Sequence, residues 1–149
     1  MFKSIFWNSL IFKPIHLNTE NEEIRTLTIT QTNGFSQETV DKIINQNYNK
    51  ILINSHDVSL REFEGFNYIS EFEISESSSN NIPKNLFSGN SKIKKVILPP
   101  QITQIDQFAF AYSTLQEINL ENVLIIKENA FDSCLQLTTI NLDLMDVPN

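Results

Sequence analysis

Apolar residues recur along this chain in one six-residue phrase, apolar-x-x-apolar-x-apolar. It reads IRTLTI from Ile24, YNKILI from Tyr48, ISEFEI from Ile69, IKKVIL from Ile93, LQEINL from Leu115 and LTTINL from Leu137. Successive starts lie 24, 21, 24, 22 and 22 residues apart. The last two apolar positions of each phrase stand two residues apart, the period of a short strand with one buried face. The stretch between copies is too long for a hairpin, so the strands run in one direction and pair in parallel, one rung per unit. The pattern predicts a repeat solenoid, α/β to mainly β, wound as a right-handed coil on a ladder of about six short strands.

The second half of each unit repeats too. In PPQITQIDQFAFAYS and ENVLIIKENAFDSC, Ile102, Ile105 and Ala109-Phe110 match Val123, Ile126 and Ala130-Phe131, with Asn85-Leu86-Phe87 as a looser copy. These segments are expected to form short helical or 3₁₀ return legs, where Ala admits close backbone approach and Phe reaches across to the strand residues. In the two earlier units the equivalent space falls to Phe35, Val40 and Ile44, and to Val58, Phe63 and Phe66. A unit of this length cannot bury its own apolar face, so stability must come from its neighbours.

The phrases IKKVILPPQITQIDQFAFAYSTLQEINL and VLIIKENAFDSCLQLTTINL resemble the BspA-type, or TpLRR-like, class of leucine-rich repeat. Its unit reads apolar-x-x-Ile-x-Leu-Pro, then Ile-x-x-Ile, then Ala-Phe-x-x-Cys. The resemblance is closest over residues 93–142, weaker over 69–92 and one of pattern alone over 24–68. Ser113 stands where the class has Cys, and Glu121 and Asp143 where it has Pro. The resemblance implies a non-enzymatic binding scaffold, often a cell-surface or adhesion protein of bacteria and unicellular eukaryotes, with Cys134 as a packed structural thiol.

The array is expected over residues 24–149 in units starting at 24, 48, 69, 93, 115 and 137, the last incomplete. Residues 1–23 are expected to cap its first rung. Phe12, Ile15 and Leu17 echo the strand phrase, Phe2, Ile5, Phe6 and Trp7 can fold over as a lid, and Pro14 suits an edge that lacks a donor. At the other end three readings stay open: a partial array, pairing with another chain, or an edge guarded only by Asp143, Asp146 and Pro148.

With the phrase residues inward, the intervening ones face outward in columns. One column reads Thr26, Lys50, Glu71, Lys95, Glu117, Thr139, alternating charge from rung to rung. The next reads Thr28, Leu52, Glu73, Ile97, Asn119, Asn141, and the third Thr30, Asn54, Ser75, Pro99, Glu121, Asp143. Leu52 and Ile97 are expected as exposed aliphatics on either side of Glu73. The candidate partner-binding face is therefore Lys50, Leu52, Glu71, Glu73, Lys95, Ile97, Glu117 and Asn119. The expected partner is another protein; the alternative is a structural spacer or self-assembly module pairing through an open C-terminal strand.

Composition narrows the chemistry. The 149 residues carry 11 basic and 18 acidic side chains, a net charge of -7, which disfavours nucleic acid as a partner. One Cys and two His are too few for a zinc site or an internal disulfide. His16 and His56 fall in different parts of the coil and are not expected to meet. The three scattered glycines make no phosphate-cradling loop. Asp106, Glu128 and Asp132 are assigned to turns beside the return legs, capping them or facing water, and Lys92, Lys94 and Lys95 to a solvated patch. No catalytic, cofactor or metal residue is assigned. No apolar run is long enough for a membrane span, and the N-terminal stretch lacks the features of an export signal. No Asn-x-Ser/Thr acceptor occurs among 18 Asn. Cytoplasm and cell surface both remain open.

Overall fold

In the computed structural model, residues 10–12, 16–17, 23–29 and 37–141 are described. The chain enters through three short strands, β1 (Leu10–Phe12), β2 (His16–Leu17) and β3 (Glu23–Ile24). β4 (Thr26–Ile29), helix α1 (Gln37–Asn45), β5 (Lys50–Asn54) and a 3₁₀ turn at Leu60–Phe63 follow. Next come β6 (Glu71–Glu76), β7 (Asn81–Ile82), β8 (Lys95–Ile97), β9 (Gln104–Ile105), β10 (Glu117–Asn119), β11 (Ile125–Ile126) and β12 (Thr139–Asn141).

The solenoid and its register follow the phrase. Among the described residues, β4, β5, β6, β8, β10 and β12 pair in parallel in that order. Leu27, Ile51, Phe72, Val96, Ile118 and Ile140 stand opposite one another as a single interior row. One carbonyl before each strand accepts two amides of the following coil: Arg25 from Asn49 and Lys50, Asn49 from Ser70 and Glu71, Ser70 from Lys94 and Lys95. Lys94 and Gln116 continue the series with Gln116 and Glu117, and with Thr138 and Thr139.

A second parallel ladder, which the strand phrase alone does not announce, joins β7, β9 and β11 on the return side. Ile82, Ile105 and Ile126 are its matched positions. Beyond it the return legs hold one another through backbone bonds from Phe87 to Ala109, Gly89 to Ala111, Phe110 to Ala130 and Tyr112 to Asp132, each 2.7 or 2.8 Å. Two positions in each of these three legs are left-handed: Asn85 and Gly89, Phe108 and Tyr112, Asn129 and Ser133. Asn and Gly tolerate that conformation, whereas Phe108 and Tyr112 are held in it by the bonds on either side.

Aromatic rings run through the middle. Phe63 meets Phe72 edge-on at 4.9 Å, and Phe72 meets Phe87 at 5.0 Å. Phe87, Phe110 and Phe131 then stack face to face at 5.2 Å spacing. Phe63 and Phe110 have no exposed surface. The Ala of each leg, Ala109 and Ala130, is buried where the backbones approach.

The return legs differ by unit. The first is a true α-helix in which Val40 and Ile43 are buried. Ile44, expected in that space, is turned about 100° further round the helix and is half exposed. Phe35 lies outside the described residues. In the second leg Val58, Phe63 and Phe66 fill the core as expected. The third outward column also departs from expectation. Register slips after Ile53 so that Asn54 opposes Glu76 instead of Ser75, and Pro99 is buried.

At the N-terminal edge β1 lies antiparallel to β4, Leu10 opposite Ile29, and β2 lies antiparallel to β3, His16 opposite Ile24. Phe12 and Leu17 therefore sit in antiparallel pieces and not in a shortened copy of the strand phrase. Phe2, Ile5, Phe6, Trp7, Pro14 and Ile15 lie outside the described residues, as do Asp143, Asp146 and Pro148.

Three successive coils are tied by one carboxylate. Asn81 and Gln104 donate to Asp106, and the Lys127 ammonium lies 2.8 Å from it. Burial by itself would raise this carboxyl, but the donors from Lys127, Asn81 and Gln104 outweigh it and hold Asp106 below its ordinary value of 3.8. Asp106 is thus a tie between coils and not a solvent-facing turn residue.

Two outcomes are expected. Phe87→Ala removes a ring with neighbours on both sides and should lower unfolding stability by about 3–5 kcal/mol in chemical denaturation. Because the folded carboxyl has the lower pKa, the Asp106 contribution is complete above the unfolded value and is lost as pH falls through the folded one. Asp106→Asn should therefore cost about 1–2 kcal/mol near neutral pH, and its difference from wild type should close as denaturation is repeated below about pH 4.

Candidate interaction surface

The outward columns come into register as the parallel pairing requires. Thr26, Lys50, Glu71, Lys95, Glu117 and Thr139 align on successive strands. The second column aligns Thr28 with Leu52, Leu52 with Glu73, Glu73 with Ile97, and Asn119 with Asn141. All eight candidate face residues are partly buried, neither core nor fully exposed. On a flat ladder with rungs about 4.8 Å apart, each side chain covers the flanks of its neighbours. For that reason Leu52 and Ile97, expected to be exposed, are half-buried beside Glu73. Thr28 is buried where Ile11 of β1 lies opposite it, its hydroxyl without a hydrogen-bond partner.

Most of the polar groups on this face are spent within it. Lys50 reaches diagonally to Glu73 at 2.6 Å instead of straight across to Glu71, whereas Lys95 bonds its direct neighbour Glu117 at 3.0 Å. Such half-exposed pairs contribute about 0.2–1 kcal/mol each. The Asn119 carboxamide accepts from the Leu98 amide at 2.7 Å and donates to the Leu98 carbonyl at 2.9 Å. It completes the backbone pairing of β8 just before Pro99, where the strand has no further amide to give. Glu71 has no ion-pair or hydrogen-bond partner for its carboxylate among the described residues. What the face leaves for another molecule is Leu52, Ile97 and the carboxylate of Glu71.

The basic cluster read in the sequence divides in space. Lys95 belongs to the strand face, while Lys92 and Lys94 lie in a groove at the side where strands begin. His16 stands in β2 and His56 follows β5, its imidazole 4.0 Å from Glu76 at the surface. Among the described residues, no group of three His, Cys, Asp or Glu is placed to hold a metal ion, and no helix is long and apolar enough to cross a membrane.

In the last three legs the position three residues after the Phe is polar and bonded. Asn90 donates to the Phe66 carbonyl at 2.9 Å, and the Cys134 thiol donates to the Phe110 carbonyl at 2.8 Å, each reaching back one coil. Ser113 is buried at the equivalent place, 3.6 Å from the Cys134 sulfur. Cys134 is half-buried and bonded, and Ser113 keeps a polar group where the repeat class has Cys. On the same leg Tyr112 hydrogen-bonds Asp132, which raises the phenol above its ordinary value of 10.0.

Sequence reasoning did not find the roles of Asp106, Asn119 and Asn90. Asn90 carried a signal, since Ser113 and Cys134 stand at the same distance after the Phe of the next two legs. Asp106 and Asn119 carried none: Pro83 and Ile97 stand at the matching positions of the coil before, so only the contact reveals the task.

No match was found among curated proteins or solved structures. A family model for the BspA type leucine-rich repeat region matches residues 35–145 in six copies, spanning most of the chain. Family-level repeats, a parallel ladder with one interior row, and return legs closed by stacked Phe agree with one another, and the chain belongs to the BspA-type leucine-rich repeat family.

Proposed function

We propose that the protein is a non-catalytic scaffold that binds another protein through the strand face, with cell-surface adhesion as the setting the family suggests. The observation that carries this is the patch of Leu52, Glu71 and Ile97. Two aliphatic side chains and a carboxylate with no partner among the described residues sit on a ladder most of whose other polar groups pair with one another. Such a patch suits a partner that offers an apolar side chain between Leu52 and Ile97 and a cation to Glu71. Six rungs span only about 25 Å. That face falls short of the roughly 800 Å² per partner of a standard interface, so neighbouring loops take part in stable binding. No catalytic role is assigned to any residue.

A second reading, pairing of two copies through β12, is favoured by one observation. Leu124 and Leu135, on the last described coil, are 81% and 91% exposed, and β12 has no strand on its outer side among the described residues.

Affinity capture with wild type and with Leu52→Asp plus Ile97→Asp should show partners retained by the first and lost by the second, with circular dichroism unchanged. Identical partners for both would defeat the strand face. Sedimentation over a concentration series should show association at high concentration if β12 pairs, and a monomer throughout would exclude that pairing.

A further inference from the structure

Where the strands begin, a groove of about 820 Å³ crosses four coils. Arg25, Asn49, Ser70 and Lys94 line it, and these are the residues whose carbonyls bind the amides of the following coil. Three rung spacings separate Arg25 from Lys94, about 14 Å, the length of roughly four residues of extended chain.

The groove's charge runs against that of the protein. The chain has a net charge of -7, yet among the described residues the lining contains Arg25, Lys92 and Lys94 and no carboxylate. None of the three cations has an ion-pair partner among the described residues. The Arg25 guanidinium is held over the Tyr48 ring, 5.5 Å from its centre, and Lys92 and Lys94 are exposed. Helix α1 ends here, but its Ile43 and Ile44 carbonyls already accept amides from Tyr48 and Asn47, so the helix end does not cancel the cations. Beside the charges Ile44 and Tyr68 are 49% and 46% exposed.

We propose that this groove binds a short, extended acidic segment of a partner polypeptide, with carboxylates against Arg25, Lys92 and Lys94 and an apolar side chain against Ile44 and Tyr68. Cations at the two ends of a groove four coils long match a linear anion, not a single phosphate, which would need them to converge. An exposed aliphatic side chain among them favours a peptide over a sulfated sugar. The site lies apart from the strand face and does not depend on it.

Fluorescence anisotropy with the intact chain tests this at low salt, using labelled acetyl-Glu-Asp-Leu-Glu-Asp-amide and the neutral acetyl-Gln-Asn-Leu-Gln-Asn-amide. The acidic peptide should bind and the neutral one should not. Lys94→Glu should weaken binding by about tenfold or more, with Lys92→Glu acting in the same direction. Ile44→Ala should weaken it by about threefold. Lys84→Glu, an equal charge change outside the groove, should stay within about twofold. Absence of binding, or equal loss with Lys84→Glu, would overturn the site. Tighter binding of a sulfated oligosaccharide, unaffected by Ile44→Ala, would overturn the peptide as its occupant.

Discussion

No coil of this protein can satisfy its own backbone or cover its own apolar face; each depends on the coils before and after it. The carbonyls of Arg25, Asn49, Ser70, Lys94 and Gln116 each take two amides from the next coil. The return legs are bonded in the opposite sense, with Phe87 donating forward to Ala109 and Phe110 to Ala130. Every coil is thus both donor and acceptor on each side.

Burial records the same dependence. Ile82 and Ile105 of the second ladder have no exposed surface, whereas Ile126, in the same position one coil later, is 52% exposed. Ile118 is fully buried and its neighbour Ile140 is 46% exposed. The side chain is an isoleucine throughout; what differs is a following coil, which Ile126 and Ile140 lack among the described residues. The Phe column and the Asp106 tie act on the same joints, one by ring packing and the other by charge-assisted hydrogen bonds across three coils.

A scaffold built this way presents two kinds of surface. On the ladder the polar groups tend to pair among themselves because rungs stand close together, which leaves a small residue of aliphatic and acidic character. At the strand starts cations gather, with no carboxylate among the described residues that line the groove. The two surfaces differ in sign and chemistry.

Much of this was legible in the residues alone. The six-residue phrase determined parallel pairing, the interior row from Leu27 to Ile140 and the register of the outward columns, because a period near 22 admits one stacking that buries every copy. The Ala-Phe segments determined a return leg with a packed ring. Other features were settled only by the tertiary structure. The partners that Asn90, Asp106 and Asn119 hold in neighbouring coils lie 21 to 25 residues away, and nothing local distinguishes a carboxamide that completes a neighbour's backbone from one that faces water. The burial of Ile43 over Ile44 depends on the turn of about 100° between adjacent helix positions, the separation of Lys95 from Lys94 on the alternation of strand side chains, and the diagonal reach of Lys50 to Glu73 on how neighbouring rungs pack. Sequence spacing decides which coil a residue belongs to; the neighbouring coil decides what that residue touches.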